Sequence, residues 1–234
     1  MGRLTATIVV LGVLVAGCGS GEHPSTHATQ DPAGVRTSAQ SSPSPPESDA
    51  PTPTPAPAGR VRIPASFPLA AGWGRGGGDG RPRVLRHPLG LDVHGVDVYV
   101  PTGALGRRTM LFELPEWVRG REVAVYGSPA AARHVIATVV RDARQSRRSR
   151  SEDGSRLLRR VHRLPDGTVE VLSWRRLEGH PAVGTQTVLL HRSGRALLTS
   201  TGSAEGQGAA GAAHLAREDL GMLRPALAAL PGLG

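Results

Sequence analysis

Between Gly19 and Gly59 the chain offers almost nothing with which to build a core. Val35 is the only aliphatic side chain larger than alanine in that stretch, and nine of the chain's 20 prolines lie between Pro24 and Pro57. Several of these alternate with other residues (Pro51, Pro53, Pro55, Pro57). A segment of Ser, Thr, Pro, Ala and Gly cannot bury enough apolar surface to offset the entropy of ordering, so it is expected to stay extended or disordered. Any packed domain in the 234 residues must therefore come from residues 60–234. That length is ample for one core.

The first residues read as an address. Arg3 supplies a positive start, and Leu4 to Ala16 (LTATIVVLGVLVA) is an uncharged run. It has the length of a signal-peptide core and is too short for a membrane span of about 20 residues. Leu14-Val15-Ala16-Gly17-Cys18 follows, and Cys18 is the only cysteine in the chain. The order of aliphatic residue, small residues and cysteine resembles the bacterial lipobox. That resemblance implies cleavage between Gly17 and Cys18, and acylation of the Cys18 thiol. Two or more acyl chains suffice for stable membrane anchoring. Residues 1–17 are thus expected to be a lipoprotein signal peptide and 18–59 a lipidated tether. As a flexible coil the tether would span about 35 Å.

Composition removes several chemistries. All 28 basic residues are arginine, which excludes a phosphate-loop lysine, a Schiff base and a kinase-type lysine. A single cysteine excludes a zinc finger, an internal disulfide scaffold and a CxxC redox site. No HExxH or GxSxG occurs among the residues. His87, His94, Asp92 and Asp97 lie close in sequence without the spacing of a metal site. Asp166 and Glu170 straddle a turn and make a poor acid/base pair. The expectation is a non-enzymatic domain with neither metal nor cofactor.

Local patterns outline the domain. The run at 72–83 (GWGRGGGDGRPR) is read as a flexible connection. Strands are expected at Val96–Val100, Thr109–Leu114 and Glu122–Tyr126. Ser128-Pro129 is an N-cap followed by a first-turn proline. The stripe Ala132, Val135, Ile136, Val139, Ala143 then predicts a helix to about Gln145. Leu157–Leu164 and Thr168–Leu177 flank the turn Pro165-Asp166-Gly167. Val183–His191 and Ala196–Thr201 flank Arg192-Ser193-Gly194-Arg195, a hairpin that would pair Leu189 with Leu198 and Leu190 with Leu197. Apolar pairs on both faces mark central strands covered on both sides. Gly202 to Gly211 reads as a loop. A final helix carrying Leu215, Leu223 and Leu227 is expected to kink or restart at Pro225. The predicted class is α+β: a twisted, mostly antiparallel sheet with two main helices.

Three sets of segments, Ile63–Leu69, Arg121–Ser128 and Pro181–Gly184 through Gly194–Thr201, together resemble actinobacterial lipoproteins related to the extracellular sensor domain of PknH-type serine/threonine kinases. The resemblance implies helices packed on a twisted antiparallel sheet, a cleft suited to a ligand, and an extracytoplasmic binding or sensing role without chemistry. Domains of that family carry paired cysteines, which this domain lacks. His94 and Gln145-Ser146 stand where such cysteines are expected. A native bridge contributes about 2–5 kcal/mol, so the core must compensate or the fold be less rigid. No binding residue is carried over from the resemblance.

Charge is the remaining signal. Residues 60–234 hold 26 arginines against 15 acids, and nine of those arginines fall between Arg141 and Arg163. The densest point, Arg147, Arg148 and Arg150, is a candidate anion-binding loop. An exported protein without stacking aromatics at its basic patch is not expected to bind nucleic acid. The partners expected are the membrane, through the lipid anchor, and an unknown small ligand. Alternatives are an envelope protein gripping anionic lipid or polymer through the arginine-rich loop, and an envelope hydrolase, which the absence of a nucleophile constellation disfavours. Replacing Cys18 is the sharpest check on location. Cys18→Ala should move the protein from the detergent phase to the aqueous phase or stall its maturation, and unchanged partitioning would refute the anchor.

Overall fold

The computed structural model describes residues 59–73, 81–92, 98–114, 117–146, 148–150 and 154–234. Gly17, Cys18 and the tether lie outside the described residues, as do His94, Asp97, Arg147 and most of the glycine-rich run.

Among the described residues, ten strands and two α-helices form in the order β1 (Arg83–Leu85), β2 (Leu91–Asp92), β3 (Val98–Tyr99), β4 (Ala104–Leu114), β5 (Trp117–Tyr126), α1 (Pro129–Gln145), β6 (Arg148–Arg150), β7 (Arg156–Arg163), β8 (Val169–Leu177), β9 (His180–Ser193), β10 (Ala196–Gln207) and α2 (Gly208–Ala229). A 3-10 turn, Leu230–Leu233, follows. Eight strands make one sheet in the order β1-β4-β5-β10-β9-β8-β7-β6, and β2 with β3 forms a separate pair. Every paired neighbour is antiparallel. The α+β class read from the sequence holds. No helix among the described residues is long and apolar enough to cross a membrane.

Alternation along the central strands splits the core in two. Val123, Val125, Leu189 and Leu198 face a cluster that includes Ala212, Ala216, Leu223 and Ala226 of α2. Ala124, Tyr126, Leu190 and Leu197 face Ala132, Val135, Val139 and Ala143 of α1. The period of two on the strands thus meets the period of 3.6 on each helix. The two-sided burial predicted for Leu189, Leu190, Leu197 and Leu198 is present, but through a different register. Leu198 opposes His191 and Leu197 opposes Arg192, because the turn is Gly194-Arg195 rather than Ser193-Gly194. Gly194 takes a φ of 55° at the first turn position, which a two-residue hairpin favours in glycine. The slip totals two residues, so each side chain keeps its face.

Helix α1 begins and ends as its residues dictate. Ser128 Oγ accepts from the Ala131 N–H at 3.1 Å. At the other end Ser146 N–H and Oγ both donate to the Asp142 carbonyl. The β7–β8 turn is also as expected: Leu164 N–H donates to the Thr168 carbonyl, and Gly167 adopts φ 84°.

Four local expectations are corrected. Gly202 to Gln207 continue β10 instead of forming a loop, since Gly202, Ser203 and Ala204 pair with both β5 and β9. Arg148 and Arg150 lie on an edge strand, not in a loop, because β6 pairs with β7; charged residues there also guard the edge against further pairing. The ends of the 72–83 run are ordered: Trp73 is buried in the core and Arg83 starts β1. Finally, of the two alternatives expected at Pro225 the restart is not taken, since α2 runs on to Ala229.

A buried ion pair ties the α2 layer to the sheet. Arg121 of β5 and Asp219 of α2 are both fully buried and 2.9 Å apart. Arg121 also donates to the carbonyls of Leu69 and Ala71, and lies over the Trp73 ring at 4.5 Å. Ser200 Oγ donates to the other Asp219 oxygen at 2.5 Å. Removing one member leaves a charge stranded in the interior, at a cost of about 3–5 kcal/mol. Asp219→Ala is therefore expected to lower unfolding free energy by about that amount, measured by urea denaturation; a loss below about 1 kcal/mol would show that the pair is not structurally important.

Candidate anion-binding grooves

The arginines between Arg141 and Arg163 do not form one patch. Strand β7 divides them. Arg159 is 5% exposed, and it donates to the Ser146 carbonyl and hydroxyl at the end of α1. A cation suits that end of the helix dipole. Arg160 lies over the Trp174 ring at 5.4 Å. The other described ones separate into two grooves.

The first groove sits at the β6 edge. Arg148, Arg150, Arg156 and Arg176 line a space of about 1020 Å³ with Leu158, Leu177, Gly179 and one carboxylate, Glu178. The register stacks three of these cations: Arg150 opposes Arg156 on β7, and Arg156 opposes Arg176 on β8. Adjacent strands are about 4.8 Å apart. Like charges directly opposite one another destabilise a sheet. Of the residues singled out from the sequence, Arg148 and Arg150 are therefore brought together with Arg156 of the same charge run and with Arg176, which lies outside it. Arg147 lies outside the described residues.

The second groove was not anticipated. It runs along the outer side of α1, where Arg133, Ile136, Ala137, Val140, Arg141, Arg144 and Gln145 share one face. Helical spacing of three and four residues places them in a row. Its far wall is Arg163, the β7–β8 turn at Asp166 and Gly167, and Arg192. The space is about 850 Å³. Ile136 and Val140 are half-buried and pack on the α1-side core. Arg141 is engaged by Asp142 at 3.0 Å, and Arg192 donates to the Gly194 carbonyl. Asp166 is the one acid in the lining, and its carboxylate already accepts from the Thr168 N–H at 2.9 Å. Hydrogen bonds from Thr168 outweigh its slight burial and hold its pKa below the usual range.

The remaining polar candidates are structural. Glu122 is buried; it accepts from the Leu89 N–H and the Thr109 hydroxyl, each at 2.8 Å, and pairs with Arg107 at 3.2 Å. Burial pushes its pKa up, against the pull of those partners. Asp166 and Glu170 are parted: Asp166 caps its own turn, whereas Glu170 is a buried strand residue opposite His162. Thr168 Oγ1 and His191 Nδ1 are 2.9 Å apart. Gln145 and Ser146, marked as cysteine positions by the resemblance, lie at the end of α1. Windowed charge counting finds the cluster but misses Arg133, Arg176 and Arg192, which only the fold brings in.

No protein-family model matches the chain, and no curated protein matches it. Two solved structures are similar in part. The extracellular domain of PknH from Mycobacterium tuberculosis shares 11% identity at a TM-score of 0.43, covering 62% of this chain and 84% of that one. A STAR-related lipid transfer protein from Xanthomonas axonopodis shares 12% identity at a TM-score of 0.25, covering 53% of this chain and 93% of that one. Neither likeness supplies a ligand or a site residue for this chain.

The cross-strand arginines give the β6 groove a measurable signature. Arg156→Thr should raise stability by about 0.2–1 kcal/mol at low salt, and the gain should shrink as ionic strength rises. A loss of stability at every salt concentration would contradict the repulsion.

Proposed function

We propose that this chain is an exported lipoprotein, anchored to the membrane through Cys18, whose α+β domain binds an anionic ligand without transforming it. One observation carries the binding reading: the domain opens two grooves in whose described linings arginines outnumber carboxylates four to one and five to one. Guanidinium groups in excess of carboxylates in concave sites favour phosphate or carboxylate ligands, which they bind in a bidentate manner. The uncharged run and lipobox-like order at Leu14–Cys18 support placement outside the cytoplasmic membrane.

Two features speak against other classes. Neither groove is lined by an aromatic side chain on which a base would stack. At the α1 groove the nearby described acids are engaged by the fold, Asp142 by Arg141 and Asp166 by its own turn, which speaks against an acid/base pair for hydrolysis there.

A second reading follows from the ladder Arg150–Arg156–Arg176. Cations repeated across adjacent strands suit a polyanion of the cell envelope laid over the sheet edge.

Titration of the full chain with inorganic pyrophosphate tests the binding reading. Saturable heat that weakens with added salt, with no release of orthophosphate, is the expected result. No binding at low salt, or steady turnover, would defeat it.

A further inference from the structure

The α1 groove differs from the β6 groove in having a floor. Ile136, Ala137 and Val140 follow one another along the helix between Arg133 on one side and Arg141 and Arg144 on the other. Ile136 and Val140 are only half-buried, although each belongs to the edge of the core. Across from them stand Arg163 and Arg192, which the register places on the α1 side of the sheet. Arg163 opposes Val169, Arg192 opposes Leu197, and both partners belong to the α1-side core.

Such a surface is matched to a molecule with two parts. A phosphate alone would satisfy the cations and leave the apolar strip wet. A hydrocarbon alone would cover the strip but face five guanidinium groups. We infer that the α1 groove binds an acidic lipid, its phosphate headgroup held between Arg144 of the helix and Arg163 of the facing wall and the first methylenes of its chain laid along Val140, Ala137 and Ile136 towards Arg133. Arginine is suited to the head because its planar fork meets a phosphate with two hydrogen bonds. Each methylene withdrawn from water adds up to about fourfold in affinity. The volume of about 850 Å³ lies within the range of about 300–1,000 Å³ found for small-ligand sites. This deepens the reading of the domain as a binder of anions and rests on it.

The full chain carrying Cys18→Ala is titrated separately with inorganic phosphate, with dihexanoyl phosphatidic acid below its micelle concentration, and with dihexanoyl phosphatidylcholine. The phosphatidic acid should bind at least tenfold more tightly than either other probe. Arg144→Gln/Arg163→Gln should weaken it at least tenfold. The charge-matched control Arg217→Gln/Arg224→Gln, at exposed positions on α2, should leave it within about twofold. Amide shifts on adding the lipid should map to Ile136, Ala137 and Val140. Equal binding of phosphate and phosphatidic acid, lost in the Arg144/Arg163 variant, would overturn the lipid assignment and leave anion binding standing. Equal binding of phosphatidylcholine, or equal loss in the two variants, would overturn the site. No binding by any probe would overturn both readings.

Discussion

One guanidinium in the interior organises the α2 half of this domain. Arg121 sits on a central strand with no solvent contact, so the partners of its two terminal nitrogens come from within the fold, while its buried Nε has none. Asp219 answers from α2, and the carbonyls of Leu69 and Ala71 answer from the segment that precedes the sheet. Trp73 lies over it and stacks on Phe112 in turn. A hydrophobic contact tolerates sliding, but this cluster does not, because every displacement exposes an unpaired charge. It therefore fixes which turn of α2 meets the sheet and where the chain before β1 must lie. Glycine permits that close packing at Gly72, whose φ is 72° and where a Cβ would meet Met222.

Burial of the sheet on two sides sets up the surface chemistry. With α2 pinned to one face and α1 to the other, β7 and β6 at one edge of the sheet carry exposed arginines, Arg148, Arg150, Arg156 and Arg163 among them. The cluster seen as a linear run is sorted by strand alternation and by the helix. Some members act as caps and ring contacts, as Arg159 and Arg160 do. The others are distributed between an edge ladder and a helix-lined groove. A charge run in sequence is thus not a patch in space, and the separation gives two surfaces of different character, one with an apolar floor and one largely without.

What could be read from the residues was what local chemistry decides. The α1 boundaries follow from Ser128-Pro129 and the apolar stripe, and the β7–β8 turn from Pro165-Asp166-Gly167. Both are present. What could not be read was what pairing at a distance decides. Gly202, Ser203 and Ala204 look like loop residues, yet neighbours on both sides draw them into β10. Arg148–Arg150 looks like a solvated loop, yet β7 supplies a partner. The hairpin register went wrong by two because a single glycine determines which two residues turn. The candidate anion site was legible as the excess charge between Arg141 and Arg163, densest at Arg148 and Arg150. The walls at Arg176 and at Arg133 and Arg192 required the sheet and helix to be folded first.

The chain's exclusive use of arginine has a consequence for the grooves. Ammonium and imidazole lose their protons within reach of biological conditions, whereas a guanidinium keeps its own. The walls built from Arg133, Arg144 and Arg163, or from Arg148, Arg150 and Arg156, therefore hold a constant positive field in acidic and alkaline surroundings alike. Apart from the one carboxylate in each described lining, Asp166 and Glu178, any acidity dependence of recognition then originates in the guest: a phosphomonoester would be gripped harder once its second proton leaves, and a phosphodiester would be held evenly.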